Sequence, residues 1–267
     1  MSKPSKKNQS ECLLAERNGA VLTLAINRPD ANNAINNEIR EALLEAFEAA
    51  AKDAALRVIV LNSVGEDAFS VGTDIAEIAA YTPVEAEALG QKARDVYQAM
   101  NSIDVPIVAA VKGACLGAGF ELALHADLRL ARGDARFGLP GINIGMVSSG
   151  AGLARLQRVS GVGSAAALAL TGGMVTAERA FMLGLVSNVA SPKDFSSAVE
   201  QLAQHFSALS PVAMVETKRM LRAASESGAD AAAALGPKAL ARCFGEGDAL
   251  VRLNMMLGGR DPQETLH

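Results

Sequence analysis

Residues 106–122 restrict the possible folds of this chain more than any other stretch. Apolar residues at 107–111 indicate a buried strand, small residues at 117–119 indicate a turn, and apolar residues around Glu121 indicate a helix start. Backbone N–H groups at a helix start have no intrahelical partner, and small residues leave them uncovered. Such groups stabilise a developing negative charge, and Glu121 lies close enough to move a proton there. The segment therefore predicts an anion hole beside an acid–base group.

A second loop, residues 68–74, follows another apolar strand predicted at residues 57–61. Neighbouring parallel strands end at the same edge of a sheet, where α/β proteins usually bind ligands. One N–H group from each loop would then point at one oxygen, as a thioester carbonyl that becomes an enolate requires. Glycines at this spacing are equally consistent with close helix–strand packing. They form no dinucleotide-binding fingerprint, because Leu122 occupies the third glycine position.

Short apolar runs alternate with segments of helical periodicity over most of the chain. Strands are predicted at residues 21–26, 57–61, 107–111, 128–131 and 185–189. Helices are predicted at residues 38–52, 85–100, 117–125, 153–159, 164–170 and 177–183, with a short helix beginning at 73–74 and a glycine-rich loop at 138–152. The final helices are predicted at residues 195–209, 211–224 and 229–257, the last interrupted at 236–237. This order predicts an α/β core with largely parallel pairing to about residue 190, followed by a helical region.

Composition argues against several classes of protein. The chain has 267 residues, of which 50% are hydrophobic, and this is ample for a large core. A net charge of -4 provides no electrostatic footprint for nucleic acid or for an anionic membrane. There is no run of about 18 apolar residues, so no membrane span is expected. Cys12, Cys115 and Cys243 have neither disulfide nor metal-site spacing. We therefore expect a cytoplasmic protein with no metal and no nucleic-acid or membrane partner.

Several polar residues near the two loops have simple structural explanations. Asp74 is expected to cap a helix, and Asp127 is expected to satisfy backbone N–H groups at a helix–strand junction. His125 is expected in the core or at an interface, and Cys115 is expected as a small buried residue rather than a nucleophile. Glu121 would also fit a salt-bridged structural role, which leaves its chemical role open on spacing alone.

Four segments in the same order resemble the crotonase, or enoyl-CoA hydratase/isomerase, superfamily between about residues 20 and 261. They are residues 27–35 (Asn-Arg-Pro and Asn-Ala-Ile), 69–74, 106–127, and 137–138 together with 171–172 and 180–186. The resemblance implies the ClpP/crotonase spiral, an α/β core of repeated ββα units with a helical C-terminal region. The expected domains are a core at 13–190 and a trimerisation region at 191–267. A disordered tail is expected at 1–12, because the chain begins with a polar, lysine-bearing segment. A homotrimer or a dimer of trimers is expected.

The same resemblance implies an acyl-CoA thioester enzyme of the enoyl-CoA hydratase/isomerase type. Coenzyme A would enter as part of the substrate, and no separate cofactor is expected. The implied oxyanion donors are the N–H groups of Val71 and Ala118, with Glu121 as the acid–base residue. The expected substrate- and CoA-binding residues are Arg28, Ala34, Gly72, Thr73, Asp74, Gly117, Gly141 and Ser148. Lys112 and Arg260 are further candidates for the CoA phosphates, and Ser149 is a further polar candidate beside the acyl group.

The chain departs from the family pattern at the second catalytic carboxylate. Hydratases of the family use two glutamates, and the second follows the proline of a Phe-Gly-x-Pro segment. Here that position is Gly141, and no Asp or Glu occurs between Asp134 and Glu178. Each general acid or base typically contributes about 10²- to 10⁴-fold, so a single carboxylate suits chemistry that needs only one. Isomerisation, decarboxylation and hydrolysis therefore stay open beside hydration, as does non-catalytic acyl-CoA binding.

Overall fold

The strands form two sheets, as shown by a computed structural model that describes residues 11–259. In chain order the strands of these residues are β1 (Leu13–Asn18), β2 (Val21–Ile26), β3 (Val58–Ser63), β4 (Ala68–Ser70), β5 (Ile107–Val111), β6 (Ala114–Leu116), β7 (Leu128–Arg132), β8 (Arg136–Gly138), β9 (Met174–Thr176) and β10 (Asn188–Ala190). The larger sheet has the order β1-β2-β3-β5-β7-β10, and the smaller has β4-β6-β8-β9. Pairing is antiparallel at β1–β2 and β8–β9 and parallel elsewhere. The predicted α/β class is confirmed.

Helices cover both faces of the larger sheet. In chain order the helices of the described residues are α1 (Asn37–Ala50), α2 (Ile75–Ile78), α3 (Pro83–Ser102), α4 (Ala118–His125), α5 (Gly150–Thr171), α6 (Ala177–Met182), α7 (Phe195–Ala208), α8 (Pro211–Ser227), α9 (Ala229–Gly245) and α10 (Ala249–Leu257). The main core joins the sheet to buried residues of α1, α3 and α4. A second cluster joins Val58, Val60 and Val108 to α7. Because both faces are covered, β5 is apolar throughout and β3 is apolar over residues 58–61, without alternation.

Three consecutive units repeat the order strand, strand, helix. They are β3-β4-α3, with α2 inserted before α3, then β5-β6-α4 and β7-β8-α5. In each unit the first strand joins the larger sheet and the second joins the smaller. Because β4, β6 and β8 lie side by side and parallel, the turns that follow them meet at one edge of the smaller sheet. The expected repeated ββα core is confirmed, and this edge carries both loops predicted to bind an anion.

The contact between α4 and β4 fixes the position of the α4 N-terminus. A Cβ atom on Gly119 would lie 2.5 Å from Ser70 Cβ and 2.8 Å from the Ser70 carbonyl oxygen. No side chain fits in that space, so glycine is required for α4 to lie against β4. Close packing, one of the two explanations open for these glycines, is therefore correct for Gly119.

Several elements differ from the sequence-based expectation. The strands β4, β6, β8 and β9 are not predicted because each has three residues, too few to show an alternating pattern. The strand β1 is also absent from the prediction, and the late strand lies at Asn188–Ala190 rather than at 185–189. The helices predicted at 153–159 and 164–170 form one span, α5, which Gly161 interrupts with φ 77° and ψ 163°.

The predicted break at Gly236-Pro237 is wrong. Pro237 lies inside α9, and the chain leaves the helix only after Gly245. A proline removes one helical hydrogen bond, and here packing of α9 along α8 outweighs that loss. The helix α8 is tied to the core by Lys218, whose Nζ donates to Asp127 Oδ2 at 2.6 Å and to the Val105 carbonyl at 2.8 Å. Asp127 also accepts the Ile107 N–H at 2.7 Å, which confirms its predicted structural role.

The region after residue 190 begins as part of the core, because α7 packs against β2, β3 and β7. The proposed division into a core and a trimerisation region stays a prediction. Residues 1–10, which make up most of the predicted tail, lie outside the described residues, as does the end of the chain from residue 260. Across residues 11–259, no helix has both the length and the hydropathy needed to cross a membrane.

We expect Gly119→Ala to destabilise the fold by about 2 kcal/mol, because its Cβ would push α4 away from the Ser70 backbone. Gly163→Ala is the matched control, since Gly163 is also helical but a Cβ there would meet nothing within 4 Å. The control should gain up to about 1 kcal/mol. Chemical denaturation measures the free energy of unfolding of both variants. A Gly119→Ala variant as stable as wild type would contradict the close contact between α4 and β4.

Candidate active site

A cleft of about 1050 Å³ lies where the turns after β4 and β6 meet. Its walls come from those turns, from α1, α2 and α3, and from residues 140–150. The expected site residues that line it are Val71, Gly72, Thr73, Gly117, Ala118, Glu121, Gly141 and Ser148. A second cavity of about 800 Å³ lies under α8 and contains neither turn. The cleft at the sheet edge is therefore the candidate active site.

The turns after β4 and β6 are in van der Waals contact. Gly72 has φ +102°, and a Cβ on it would lie 3.0 Å from the Leu116 carbonyl oxygen and 3.3 Å from the Ala118 nitrogen. The Ala118 N–H begins α4 and has no hydrogen-bond partner among residues 11–259. The Val71 N–H donates to the Asn32 carbonyl at 3.2 Å. One of the two expected donors is therefore free, and the other makes a long hydrogen bond.

The carboxylate of Glu121 is held by hydroxyl and backbone donors. The residue is only 5% exposed and lines the cleft from the first turn of α4. The Ser149 N–H donates to Oε1 at 3.1 Å, and the Ser149 hydroxyl donates to Oε2. The Tyr97 hydroxyl donates to Oε2 at 3.3 Å. No cation of the described chain forms an ion pair with Glu121, which argues against a salt-bridged structural role.

A glycine in α5 makes room for this carboxylate. A Cβ on Gly152 would lie 2.6 Å from Glu121 Cγ and 2.7 Å from Glu121 Oε2. The Gly152 N–H donates to Ser149 Oγ at 2.9 Å, so Ser149 is both the N-cap of α5 and the main partner of Glu121. The N-terminus of α5 therefore packs directly onto the carboxylate.

Burial raises the pKa of Glu121, because desolvation penalises the ionised form by more than its hydrogen bonds favour it. The donors that oppose this rise in pKa are Ser149, Tyr97 and Ser148. Burial and the neighbouring carboxylate also raise the pKa of Tyr97, so the phenol stays a proton donor. A carboxyl group with a raised pKa is suited to accept a proton and then return it.

His125 packs against the ring of Tyr97. The two rings stack with centroids 4.1 Å apart and planes 4° from parallel. The His125 Nδ1 lies 2.9 Å from the Glu121 carbonyl oxygen, which can only accept, so this nitrogen donates. Burial lowers the pKa of His125 to about 4, so the imidazole is neutral near pH 7. His125 is buried, which agrees with the expectation of a residue in the core or at an interface.

Three expected binding residues lie beside the cleft rather than on its wall. Arg28 Nη1 donates to the Ala34 carbonyl at 2.8 Å and to Asp74 Oδ2 at 2.9 Å. Asp74 also accepts the N–H groups of Ala76 and Glu77, which confirms that it caps α2. Together Arg28 and Asp74 connect the loop before α1 to the turn after β4.

The remaining candidates have other surroundings. Lys112 forms an ion pair with Glu66 at 3.5 Å and does not line the cleft. Cys115 is fully buried, and burial raises the pKa of its thiol, in keeping with the expected packing role. Arg260 lies outside the described residues, so its expected contact with CoA stays a prediction.

No second carboxylate reaches the cleft from another segment of the described chain. Gly141 lines the cleft, and Glu121 is the only Asp or Glu among the described residues that do so. A Cβ on Gly141 would come no closer than 3.4 Å to Met146, which is an ordinary contact. The structure therefore leaves room for a side chain at position 141 and supplies none.

Tyr97 and Arg40 are polar residues of the cleft wall that are not predicted from the sequence. Tyr97 lies on the buried face of α3 beside Val96, and Arg40 lies on the buried face of α1 beside Ile39. The available signal is a polar residue within an apolar helical stripe, which indicates burial without naming a partner. Ser149, expected beside the acyl group, proves to be the hydrogen-bond partner of Glu121.

Comparisons with known proteins place this cleft in context. A sequence model described as Enoyl-CoA hydratase/isomerase matches residues 16–248. The short-chain-enoyl-CoA hydratase of Clostridium acetobutylicum is 30% identical over 236 residues, covering 88% of this chain and 90% of the relative. The 2,3-dehydroadipyl-CoA hydratase of Escherichia coli is 37% identical over 215 residues, covering 80% and 83%. A crystal structure of enoyl-CoA hydratase from Mycobacterium smegmatis matches with a TM-score of 0.89 at 32% identity, covering 95% of this chain and 98% of that chain.

We expect Ser149→Ala to raise the pKa of Glu121, because the lost hydroxyl stabilises the ionised carboxylate. A pH titration of ¹³C-labelled glutamate side chains followed by NMR measures this. Thr176→Ala is the matched control, since Thr176 caps α6 by accepting the Arg179 N–H and does not contact Glu121. Each variant should lose about 1 kcal/mol of stability with its cap. An unchanged or lower Glu121 pKa in Ser149→Ala would contradict the assigned hydrogen bond.

Proposed function

The chain belongs to the enoyl-CoA hydratase/isomerase family, and we propose that it adds water to 2-enoyl-CoA thioesters with Glu121 as its single acid–base residue. The observation that carries this proposal is the pairing of two features in one cleft. Glu121 is the only carboxylate among the described residues that line it, and the free Ala118 N–H lies in the same helical turn. Together they provide a proton carrier and an anion hole, which enolate chemistry needs.

We assign the oxyanion hole to the N–H groups of Ala118 and Val71. The thioester oxygen would bind at Ala118, where the N-terminus of α4 adds the favourable end of the helix dipole. The Val71 N–H would share its hydrogen bond between this oxygen and the Asn32 carbonyl, which it contacts at 3.2 Å. A donor of this kind typically contributes about 3 kcal/mol to the transition state.

In hydration, the ionised Glu121 accepts a proton from water while the water oxygen bonds to C3 of the acyl group. The electron pair of the double bond moves toward C2 and the thioester oxygen, which the oxyanion hole stabilises. The protonated Glu121 then delivers its proton to C2, and the net change is addition of one water molecule. The hydrogen bonds from Ser149 and Tyr97 keep the carboxylate in place through both transfers.

Isomerisation is the second candidate reaction, and Gly141 is the observation that favours it. Moving a double bond from C3 to C2 requires removal of a proton from C2 and return of a proton to C4. One carboxylate does both through the same enolate, whereas hydration in the family pattern uses a second glutamate at the position of Gly141. Because the cleft lacks that group, the double-bond shift is the natural competitor to water addition.

The wider context of the site is also part of the proposal. CoA is the only coenzyme we expect, and it enters with the substrate. Arg28, which is partly exposed beside the turn after β4, is proposed to contact it. We propose a cytoplasmic homotrimer or dimer of trimers. Exposed apolar side chains on α9 and α10, including Leu240, Phe244, Leu253 and Met256, support subunit contacts in that region.

Glu121→Gln is expected to lower the turnover of 2-enoyl-CoA thioesters by at least about 100-fold, since the amide cannot exchange protons as the carboxylate does. Mass spectrometry of the products separates hydration from isomerisation, because only hydration adds the mass of water. Glu178→Gln, which changes an exposed glutamate on α6, is the matched control and should keep full activity. Equal turnover in wild type and Glu121→Gln would contradict the proposed acid–base role of Glu121.

Gly141→Glu is expected to increase hydration by about tenfold or more, because it returns a carboxylate to the position of the second family glutamate. The substitution is feasible since a Cβ at this position makes only ordinary contacts with Met146. Gly141→Gln, of similar size but without a carboxylate, is the control. A similar increase in both variants, or none in Gly141→Glu, would show that the missing carboxylate does not limit the reaction.

A further inference from the structure

Arg40 is the only cation among the described residues that line the cleft. It projects from α1 and is 4% exposed. Its Nη2 donates to Thr73 Oγ1 at 3.1 Å, and its Nη1 lies 3.7 Å from Glu77 Oε2. The distance to Glu77 is too long for a hydrogen bond, so Glu77 attracts the guanidinium without hydrogen bonding to it.

The guanidinium has hydrogen-bonding capacity that the described chain does not use. Nη1 is buried and has no partner, while both oxygens of Glu77 accept the Asn37 N–H, at 3.0 and 3.2 Å. Burying a charge is costly unless hydrogen bonds compensate for the lost water. Burial accordingly lowers the pKa of Arg40. The planar fork of an arginine pairs with two oxygens of a carboxylate or a phosphate.

Arg40 lies close to the residues proposed to act on the thioester. Its hydrogen-bond partner Thr73 is two residues beyond Val71, and its charge acts on Tyr97, whose hydroxyl contacts Glu121. The neighbouring wall is apolar and includes residues of α1, α2 and α3, namely Leu43, Ile75, Ile78, Leu89 and Ala93. A buried cation in an apolar wall near the reacting centre is a recognition element for an anionic substituent.

We propose that Arg40 binds a carboxylate carried by the acyl group, so that the preferred substrate is an enoyl-CoA whose acyl chain ends in a carboxylate rather than a methyl group. This inference rests on the proposed function, because it specifies the acyl group at the same site. A substrate carboxylate supplies Nη1 with the partner it lacks and competes with Glu77 for the guanidinium. A chain that ends in a methyl group would leave the buried donor unpaired.

The test compares 2-enoyl-CoA thioesters of four to eight carbons that end in a carboxylate with methyl-ended thioesters of equal length. Wild type should favour a carboxylate-ended substrate at least tenfold in kcat/KM at the best length. Arg40→Met should remove that preference, mainly by raising KM for this substrate, and should leave the methyl-ended substrate within about threefold. Arg40→Lys, which keeps the charge without the fork, should retain part of the preference. Arg94→Met, on the exposed side of α3, is the matched control.

Other outcomes overturn the inference while leaving the proposed function intact. A wild-type preference for methyl-ended chains would overturn it. An equal loss of kcat/KM on both substrates in Arg40→Met would also overturn it, because it would show that Arg40 only holds α1 against α2. Weaker binding of free CoA by Arg40→Met would assign the cation to the CoA phosphates instead. If no enoyl-CoA is turned over, the proposed function fails. Calorimetry with saturated acyl-CoA thioesters then decides on Arg40, since tighter binding of the carboxylate-ended compound that is lost in Arg40→Met supports the inference.

Discussion

The rest of this structure depends on a backbone contact that leaves no room for side chains. There, α4 and the turn before it lie against β4 and the turn after it. Gly119 lets α4 lie against Ser70, and Gly72 lets its own turn come within contact distance of the Ala118 nitrogen. These two glycines bring backbone donors from separate ββα units to one edge of the smaller sheet. Oriented N–H groups of this kind stabilise an anion only when the backbone that carries them is held rigidly. The close packing and the proposed oxyanion hole therefore have a single structural origin.

The proposed reaction also requires a carboxylate that is held in position without an ion-pair partner. Burial disfavours the ionised form of Glu121, while Ser149, Tyr97 and Ser148 favour it through hydrogen bonds. Each main partner is itself fixed, since Ser149 caps α5 and Tyr97 stacks on a neutral His125. A cation beside Glu121 would lower its pKa and weaken it as a proton carrier. Uncharged donors position the carboxylate and leave its proton affinity high.

Glu121 has no ion-pair partner in the described chain, whereas Arg40 brings a charge to the same cleft. Within the described chain, the carboxylate within 4 Å of Arg40 is that of Glu77, and Glu77 accepts the backbone N–H at the start of α1. One cleft therefore contains a carboxylate with full hydrogen bonding and a guanidinium with incomplete hydrogen bonding. The first arrangement suits a group that must exchange protons, and the second suits a group that awaits an anionic partner. This difference supports the proposed roles of Glu121 in proton transfer and of Arg40 in substrate recognition.

The sequence by itself determined the α/β class and predicted an anion-binding turn around Ala118, because both depend on local order and spacing. The acid–base role proposed for Glu121 and the gap at Gly141 follow from its resemblance to the family. Only the tertiary structure decided that Ser149 and Tyr97 hold Glu121, that Arg40 faces the same cleft, and that no other carboxylate of the described chain lines it. It also placed Pro237 inside a helix and revealed strands of three residues, which have no periodicity to read. Periodicity reports which side chains are buried, whereas their partners come from elements brought together by sheet order and helix packing.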